Sequence, residues 1–427
     1  MKFWFYIPFF LSSCLALSGE TPTGEVFHET GEHEHGSHSE CPLPRTAQDV
    51  VLCARENHPE VRKAQLRFER AKAQPDAVSQ MPNPSLQVQS VYGNYGDAPQ
   101  MQTQISLTQP LGLGGERSAR RKEAEARAST VDSELNIAKA DVTFQTVIYL
   151  HRLRQLTREK AIVQDTLETY RKLTRQYRSR PALTPEQEVF LGTLEMAEAD
   201  SLLRQTALLD EERKISHYFH VSTGHSLDEL SKVLPQVPKT WPLVQESPSE
   251  RASPEVHRLL REKEVSLAEL SIAQAASWPD IRLGPMIMLD QEGPRKRNFI
   301  GFELDLPLPL FNLNGAGRAA ASVGIATSER AIEIQKKDDS HERNEQLTAY
   351  RSATQALSQT PTLARVDERH RLMEKQFLRG VVPSALILES HRQLFELEKS
   401  RHERELTAVR ALWVLYRIDG KILEAAL

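Results

Sequence analysis

The stretch HETGEHEHGSHSEC, residues 28–41, holds the densest set of metal-ligand side chains in this chain. It carries four histidines, four glutamates, two glycines and a terminal cysteine. Neutral imidazole and thiolate are the donors that zinc and copper favour. His28, His33, His35, His38 and Cys41 are therefore candidate metal ligands. Nothing in the stretch fixes their geometry, so binding would be adaptable rather than rigid. The same residues also suit a solvated, flexible tether. His28-Glu29 and His33 are spaced one residue wider than the zinc-protease HExxH, and no helix is expected there.

Other chemistry is sparse. Glu303 and Asp305 lie on the polar side of an alternating run, opposite Ile300, Phe302, Leu304 and Leu306. In a barrel they would face a wet lumen and favour cations. In a soluble sheet they would merely face water. The fragments GLGGER (112–117) and NGAGRA (314–319) lack the remaining positions of a phosphate or dinucleotide loop. No nucleophile elbow is present. The expectation is a protein that is not an enzyme and needs no cofactor.

The elements that must carry these residues are unusual. From Ala128 an apolar or aromatic residue recurs every seventh position: Leu135, Val142, Tyr149, Leu156, Val163, Tyr170 and Tyr177. A sustained heptad means coiled-coil packing. The helix runs about sixty residues and about 90 Å. A second pattern follows at Leu363, Val366, His370, Met373 and Phe377, with Pro361 predicting a kink or handover before it. Strands are expected near Ser85–Tyr92, Met101–Thr108, Ile281–Leu289 and Phe299–Leu306, each about the length of a tilted membrane strand.

Most of this is said twice. HPEVRKAQLRFERAKAQ (from His58) parallels SPEVHRLLREKEVSLAE (from Ser253). MPNPSLQV (from Met81) parallels WPDIRLGP (from Trp278). ISLTQPLGLGGERSARR (from Ile105) parallels FELDLPLPLFNLNGAGRAA (from Phe302). Each half reads as helix, two strands, very long helix, break and return helix. The breaks are RSRPALTPEQ (178–187) and LRGVVPSA (378–385). The expected organisation is therefore a signal peptide at 1–18, a His-rich segment at 19–45, repeats at 46–235 and 253–427, and a proline-rich linker at 236–252.

The 427 residues carry 54 basic and 58 acidic side chains, which gives no reason to expect nucleic acid as a partner. At 39% hydrophobic, the chain suits a long, wetted, mainly α object with a small β part. The N-terminal apolar run is too short to span a bilayer as a helix. Leu11-Ser12-Ser13-Cys14 resembles a lipobox, with Cys14 the acylated residue; Ala16 and Ser18 offer an ordinary cleavage site instead. Cys41 and Cys53 could pair in an oxidising periplasm or stay as thiols. Beyond residue 20 no run is apolar enough for a membrane helix, so any crossing must use strands. Four strands cannot close a barrel alone, so copies would have to pool them.

NHPEV, PNPSL, SLTQPLGLGGERSARR, LPLPLFNLNGAGRAAA and FLRGVVPSALILESHRQLFELEKS, in this order, resemble the TolC-type outer-membrane efflux proteins over residues 46–425. The likeness is nearest to the CzcC/CusC-like heavy-metal branch. It implies a homotrimer in outer-membrane lipid, whose pooled strands form one β-barrel and whose pooled helices form a periplasmic tunnel. It also implies docking to a periplasmic adaptor and an inner-membrane pump in a Gram-negative bacterium, exporting heavy-metal cations. The family's tip turn falls on Gly380, Val381, Val382, Pro383 and Ser384, with Pro383 a departure. Its aperture acid falls on Glu389, while the companion position holds Leu386. The first-half turn, 178–187, lacks the tip glycine. The rival expectation is a soluble periplasmic coiled-coil protein that binds metal or acts as a scaffold.

Overall fold

The computed structural model describes residues 41–427 apart from Asp97, Lys239 and Pro248. The chain is mainly helical with one four-stranded sheet. Two short helices, α1 (Ala47–Asn57) and α2 (Pro59–Val78), lead into β1 (Ser85–Tyr95) and β2 (Ala98–Leu111). Then come α3 (Glu116–Arg178), α4 (Pro185–Thr223) and a single turn, α5 (Leu227–Leu230). The second half repeats the plan with α6 (Pro254–Ala275), β3 (Ile281–Glu292), β4 (Arg295–Asp305), α7 (Gly315–Gln359), α8 (Leu363–Leu378) and α9 (Ser384–Ile418).

The helix starts of the two halves are built alike. Helices α2 and α6 both start with proline at the first helical position, where its missing N–H costs nothing. The side chains of His58 and Ser253 cap them. Each long helix springs from a left-handed residue: Gly115 (φ 73°) before α3 and Asn314 (φ 53°) before α7. In the second half asparagine rather than glycine takes this conformation, as its short polar side chain permits. The Asn314 amide also donates to the Ala273 carbonyl, tying the joint to α6.

Helix α3 is 63 residues long and contains neither glycine nor proline. At 1.5 Å per residue it spans about 95 Å. Its heptad is the packing face: Leu135, Val142, Leu156, Val163 and Tyr170 are buried, Tyr149 and Tyr177 half-buried. Helices α2, α4, α6 and α9 all pack along it. The partner helix is broken at Thr360–Thr362, where Pro361 falls, so α7 hands over to α8 as the proline predicts. Helix α8 turns its three-four pattern inward only in part. Leu363, Val366, His370 and Phe377 are only half-buried and Met373 is exposed.

The strands run longer than the periodicity predicts, at 11, 14, 12 and 11 residues. Residues expected in the loops continue the ladders, leaving tight turns at Gly96 (φ 61°) and Gly293 (φ 54°). The last strand ends at Asp305, one residue short of Leu306. The sheet is antiparallel in sequence order, β1-β2-β3-β4, with β1 and β4 as open edges.

The linker is strapped down rather than loose. The Arg343 guanidinium, nearly fully buried on α7, donates to the carbonyls of Gln245, Glu246 and Ser247 and pairs with Asp419 at 2.9 Å. Tyr350 donates to the Pro242 carbonyl, and Trp241 packs edge-on against its ring. Cys41 and Cys53 form a disulfide with Cα atoms 5.9 Å apart, which ties residue 41 to α1. Removing Arg343 strands Asp419 and three carbonyls together. Arg343→Ala is therefore expected to cost about 3–5 kcal/mol in urea unfolding and to open residues 235–250 to limited proteolysis. An unchanged cleavage pattern would show that the strap is not what holds the linker.

Candidate functional site

Two regions concentrate the features that the sequence points to. The first is the sheet. In the pairing register Leu86 faces Leu107, Val88 faces Ile105, and Tyr92 faces Met101. Ile105 continues to Ile287 and Ile287 to Ile300; Pro285 faces Phe302 and Leu283 faces Leu304. Paired residues share a face of the sheet, so these side chains form one apolar band across all four strands. They are strongly exposed: Leu86 by 67%, Tyr92 by 74%, Ile300 by 86% and Phe302 by 63%. The opposite face carries Gln87, Gln89, Gln102, Gln104, Ser106 and Thr108, together with Met286 and Met288. Glu303 and Asp305 lie on this polar face, as their alternation predicts; in the ladder they oppose Gly284 and Arg282. Beyond β4 a further apolar run, Leu308, Leu310, Phe311 and Leu313, is exposed, Phe311 completely.

The second region is the far end of the helices. Gly380 adopts φ 76° and donates to the Phe377 carbonyl at 2.8 Å, while the Val381 N–H returns to the Gln376 carbonyl. That closes α8 in a tight left-handed turn. Pro383 then sits at the cap of α9, so the departure from the family pattern is accommodated outside the helix. Thr184 caps α4 reciprocally with Gln187 in the other turn. The two turns meet: the Tyr177 hydroxyl lies 3.3 Å from Ser384 Oγ, and Tyr170 donates to the Leu388 carbonyl. Tyr170, Leu173, Leu194 and Ile387 form a small core beneath them. Val381 and Leu386 stay exposed. Glu389 is engaged by Arg392 at 2.6 Å and by Gln393, which hold its pKa down at about 2. Its charge is therefore balanced within the chain.

Between these regions α9 presses a polar seam onto α3. His391, Glu398, Glu405 and Leu412 recur at seven-residue intervals, and all four are buried. Arg154 pairs with Glu405, and His151 faces it at 3.6 Å. Arg158 joins Glu398 (3.1 Å) to Asp367 of α8. Glu159 takes a 2.7 Å hydrogen bond from His402 and one of 2.8 Å from Arg152, which also reaches Glu211 of α4. Sequence reading missed this seam because charged residues in a helix read as its wet face. The heptad spacing from His391 was the available signal.

Cys14, His28, His33, His35 and His38 lie outside the described residues. Cys41 and Cys53 come within 4.8 Å of His225. Joined as a disulfide, the two sulfurs carry no thiolate, so the ligand role read for Cys41 requires the reduced form. No helix among the described residues is long and apolar enough to cross a membrane.

Residues 52–182 match the model of the family described as outer membrane efflux protein. No curated protein matches the chain. Among solved structures the chain is similar to the open-state MtrE outer membrane channel of Neisseria gonorrhoeae, at 15% identity and TM-score 0.64, covering 88% of this chain and 89% of that one. It is similar to the CmeC outer membrane channel of Campylobacter jejuni, at 12% identity and TM-score 0.63, covering 88% and 86%. It is also similar to CusC, at 13% identity and TM-score 0.61, covering 95% and 99%. At these identities the likeness establishes a shared fold.

The polar seam makes a pH prediction. Burial alone would raise the Glu405 pKa; facing His151 and Arg154 overcome this and bring it to about 2, from an ordinary 4.5. Glu159 is lowered too, against its own burial, by His402 and Arg152. A carboxyl depressed in the folded state stabilises above its unfolded pKa and loses that contribution as pH falls through the folded value. Stability is therefore expected to fall between about pH 4.5 and about pH 2. Glu405→Gln is expected to cost about 3 kcal/mol near neutrality and to flatten that acid limb. Stepwise urea unfolding read by circular dichroism checks it; an equally steep limb in the variant counts against the seam.

Proposed function

We propose that this chain is the outer-membrane channel subunit of a tripartite efflux system. The observation that carries the reading is the sheet: one largely apolar face, one face bearing the glutamines of β1 and β2, and two open edges, hung on long helices of which α3 spans about 95 Å. In water that apolar face is unfavourable, since each fully exposed Ile or Phe forgoes roughly 1.5–3 kcal/mol of burial. In lipid the open edges are unfavourable, because unpaired backbone groups there cost several kcal/mol each. A ring of copies removes both costs by joining β4 of one copy to β1 of the next. A homotrimer, the assembly that the family resemblance implies, closes the barrel and pools the helices into a periplasmic tunnel. The exposed run at Leu308–Leu313 supports a neighbouring copy packed against the joint.

In this reading the glutamine-rich face lines a water-filled lumen, with Glu303 and Asp305 near one end of the strands. The turn at Gly380–Ser384 receives the periplasmic adaptor, and the inner-membrane pump supplies the energy. Glu389 faces the aperture with Arg392 as its counter-ion, a weaker cation filter than a bare acid would be. Heavy-metal cations are the proposed cargo, supported by the motif resemblance and by His28, His33, His35, His38 and Cys41 upstream. Cys14, once acylated, would anchor the mature N-terminus. Passive conduction needs no catalytic residue, and no cofactor enters the reading.

The discriminating measurement is outer-membrane extraction followed by native mass determination. A carbonate-resistant trimer is expected, and a soluble monomer would end the proposal. Ile300→Arg on the apolar face is expected to cost about 2–4 kcal/mol and to deplete the assembled form. Gln104→Arg on the opposite face is expected to leave assembly intact and shift cation conductance in planar bilayers.

A further inference from the structure

The polar seam ends, near the helical tip, in a cluster whose arrangement no packing role explains. His370 and Glu374 are four residues apart on α8 and so share a face. His391 comes from α9 and Asp165 from α3. One donor atom from each of the four lies within 4.8 Å of the others. His391 is fully buried and His370 nearly so, at 0% and 9% side-chain exposure. Their rings meet edge to face, with centroids 4.6 Å apart.

The two imidazoles are oriented alike. His370 Nδ1 lies 3.0 Å from Ser390 Oγ, and His391 Nδ1 lies 2.9 Å from the Ile387 carbonyl. Both Nε2 atoms are buried and have no hydrogen-bond partner. They converge on one carboxylate oxygen: Glu374 Oε1 is 3.4 Å from His370 Nε2 and 3.5 Å from His391 Nε2. These separations are long for hydrogen bonds. They match the edge of a tetrahedron, since bonds near 2.0–2.1 Å put neighbouring ligands about 3.3–3.4 Å apart. An imidazole held at Nδ1 by a backbone or hydroxyl oxygen, with Nε2 free, is how metal-binding histidines are oriented.

We propose that His370, His391 and Glu374 bind one divalent transition cation of the zinc type, with Asp165 as fourth ligand or as holder of a bound water. Two imidazoles and carboxylate oxygen are a borderline donor set, which suits zinc and disfavours calcium or magnesium. Asp165 is exposed, so the ion has a way in from the surface. The cation would clamp α8 to α9 and α3. That joint is lightly packed: no described residue of α8 is fully buried, and α8 packs chiefly on α9. The site lies within one copy, so it stands or falls independently of barrel assembly.

The test is a zinc titration of the chelator-treated full chain, read as the melting midpoint by circular dichroism and as cobalt visible absorption. Zinc binding the folded site is expected to raise the midpoint, and cobalt to give an intense tetrahedral spectrum. Both should vanish in His391→Gln and in Glu374→Gln; the second variant changes a half-exposed side chain and decides the matter if the first folds poorly. Ser390→Ala, which releases only the orienting contact, is expected to weaken zinc about 10–100-fold. Replacing His28, His33, His35 and His38 by alanine together should leave the midpoint shift in place. No zinc-dependent shift in the unaltered chain, or a full shift in Glu374→Gln, overturns the site. A protein that proves monomeric but still gains the shift would keep the site and lose the channel.

Discussion

The free edges of β1 and β4 are the constraint on which the rest of the structure turns. Each edge offers a row of backbone donors and acceptors that no other described strand pairs. Soluble sheets blunt such edges with short strands, charges or prolines. Here β4 is eleven residues long and keeps its charges mainly at the turn, in Arg295, Lys296 and Arg297. An apolar face spans the full width between the edges. Water tolerates the edges but not the face, and hydrocarbon tolerates the face but not the edges. In the proposed channel a closed ring of strands suits both, and one copy holds too few to close one.

Closing such a ring demands that the helices below arrive in register, and the polar seam of α3 and α9 bears on this. A coiled coil of leucines alone would pack well in several registers, because one apolar layer resembles the next. Replacing layers by Glu398 with Arg158, and by Glu405 with Arg154, makes a one-heptad slip strand buried charges. Such a mismatch costs about 3–5 kcal/mol per broken pair, more than the apolar layers would recover. The seam therefore adds little net stability over leucine but makes one alignment preferable. Arg152 and Asp367 extend it to α4 and α8, so one register sets the positions of four helices.

Much of this was legible wherever a period or a repeat speaks. The heptad of Leu135 to Tyr177 marked the buried face of α3 because seven-residue recurrence has one structural meaning. The doubled HPEV and SPEV motifs located both entry helices because proline after a capping residue starts a helix. Strand ends were less legible. The residues Gly93 and Asn94 look like turn formers, yet the tight turn at Gly96 lets the ladder continue through them. The seam was hidden for a different reason. Burial of a glutamate depends on an arginine or histidine on another helix, some 240 residues away in the chain for His402 and Glu159. Local pattern cannot report such a partner, and the same holds for His370 and His391.

The order of residues along that seam carries a final argument about motion. Reading α9 backward from Leu412 toward the tip, the buried positions pass from leucine to Glu405 and Glu398 with their cations, and then to His391 facing His370. Leucine layers and buried ion pairs are stiff, because separating them exposes apolar surface or unpaired charge. A pair of imidazoles with unpartnered Nε2 atoms is neither, and it sits where no described residue of α8 is fully buried. Regions that must open are drawn from the least stable parts of a fold. A gate at the Gly380 turn would thus hinge where the chain has left the packing incomplete. A ligand that completes the cluster would act on the helix tip while leaving the clamped region above it unchanged.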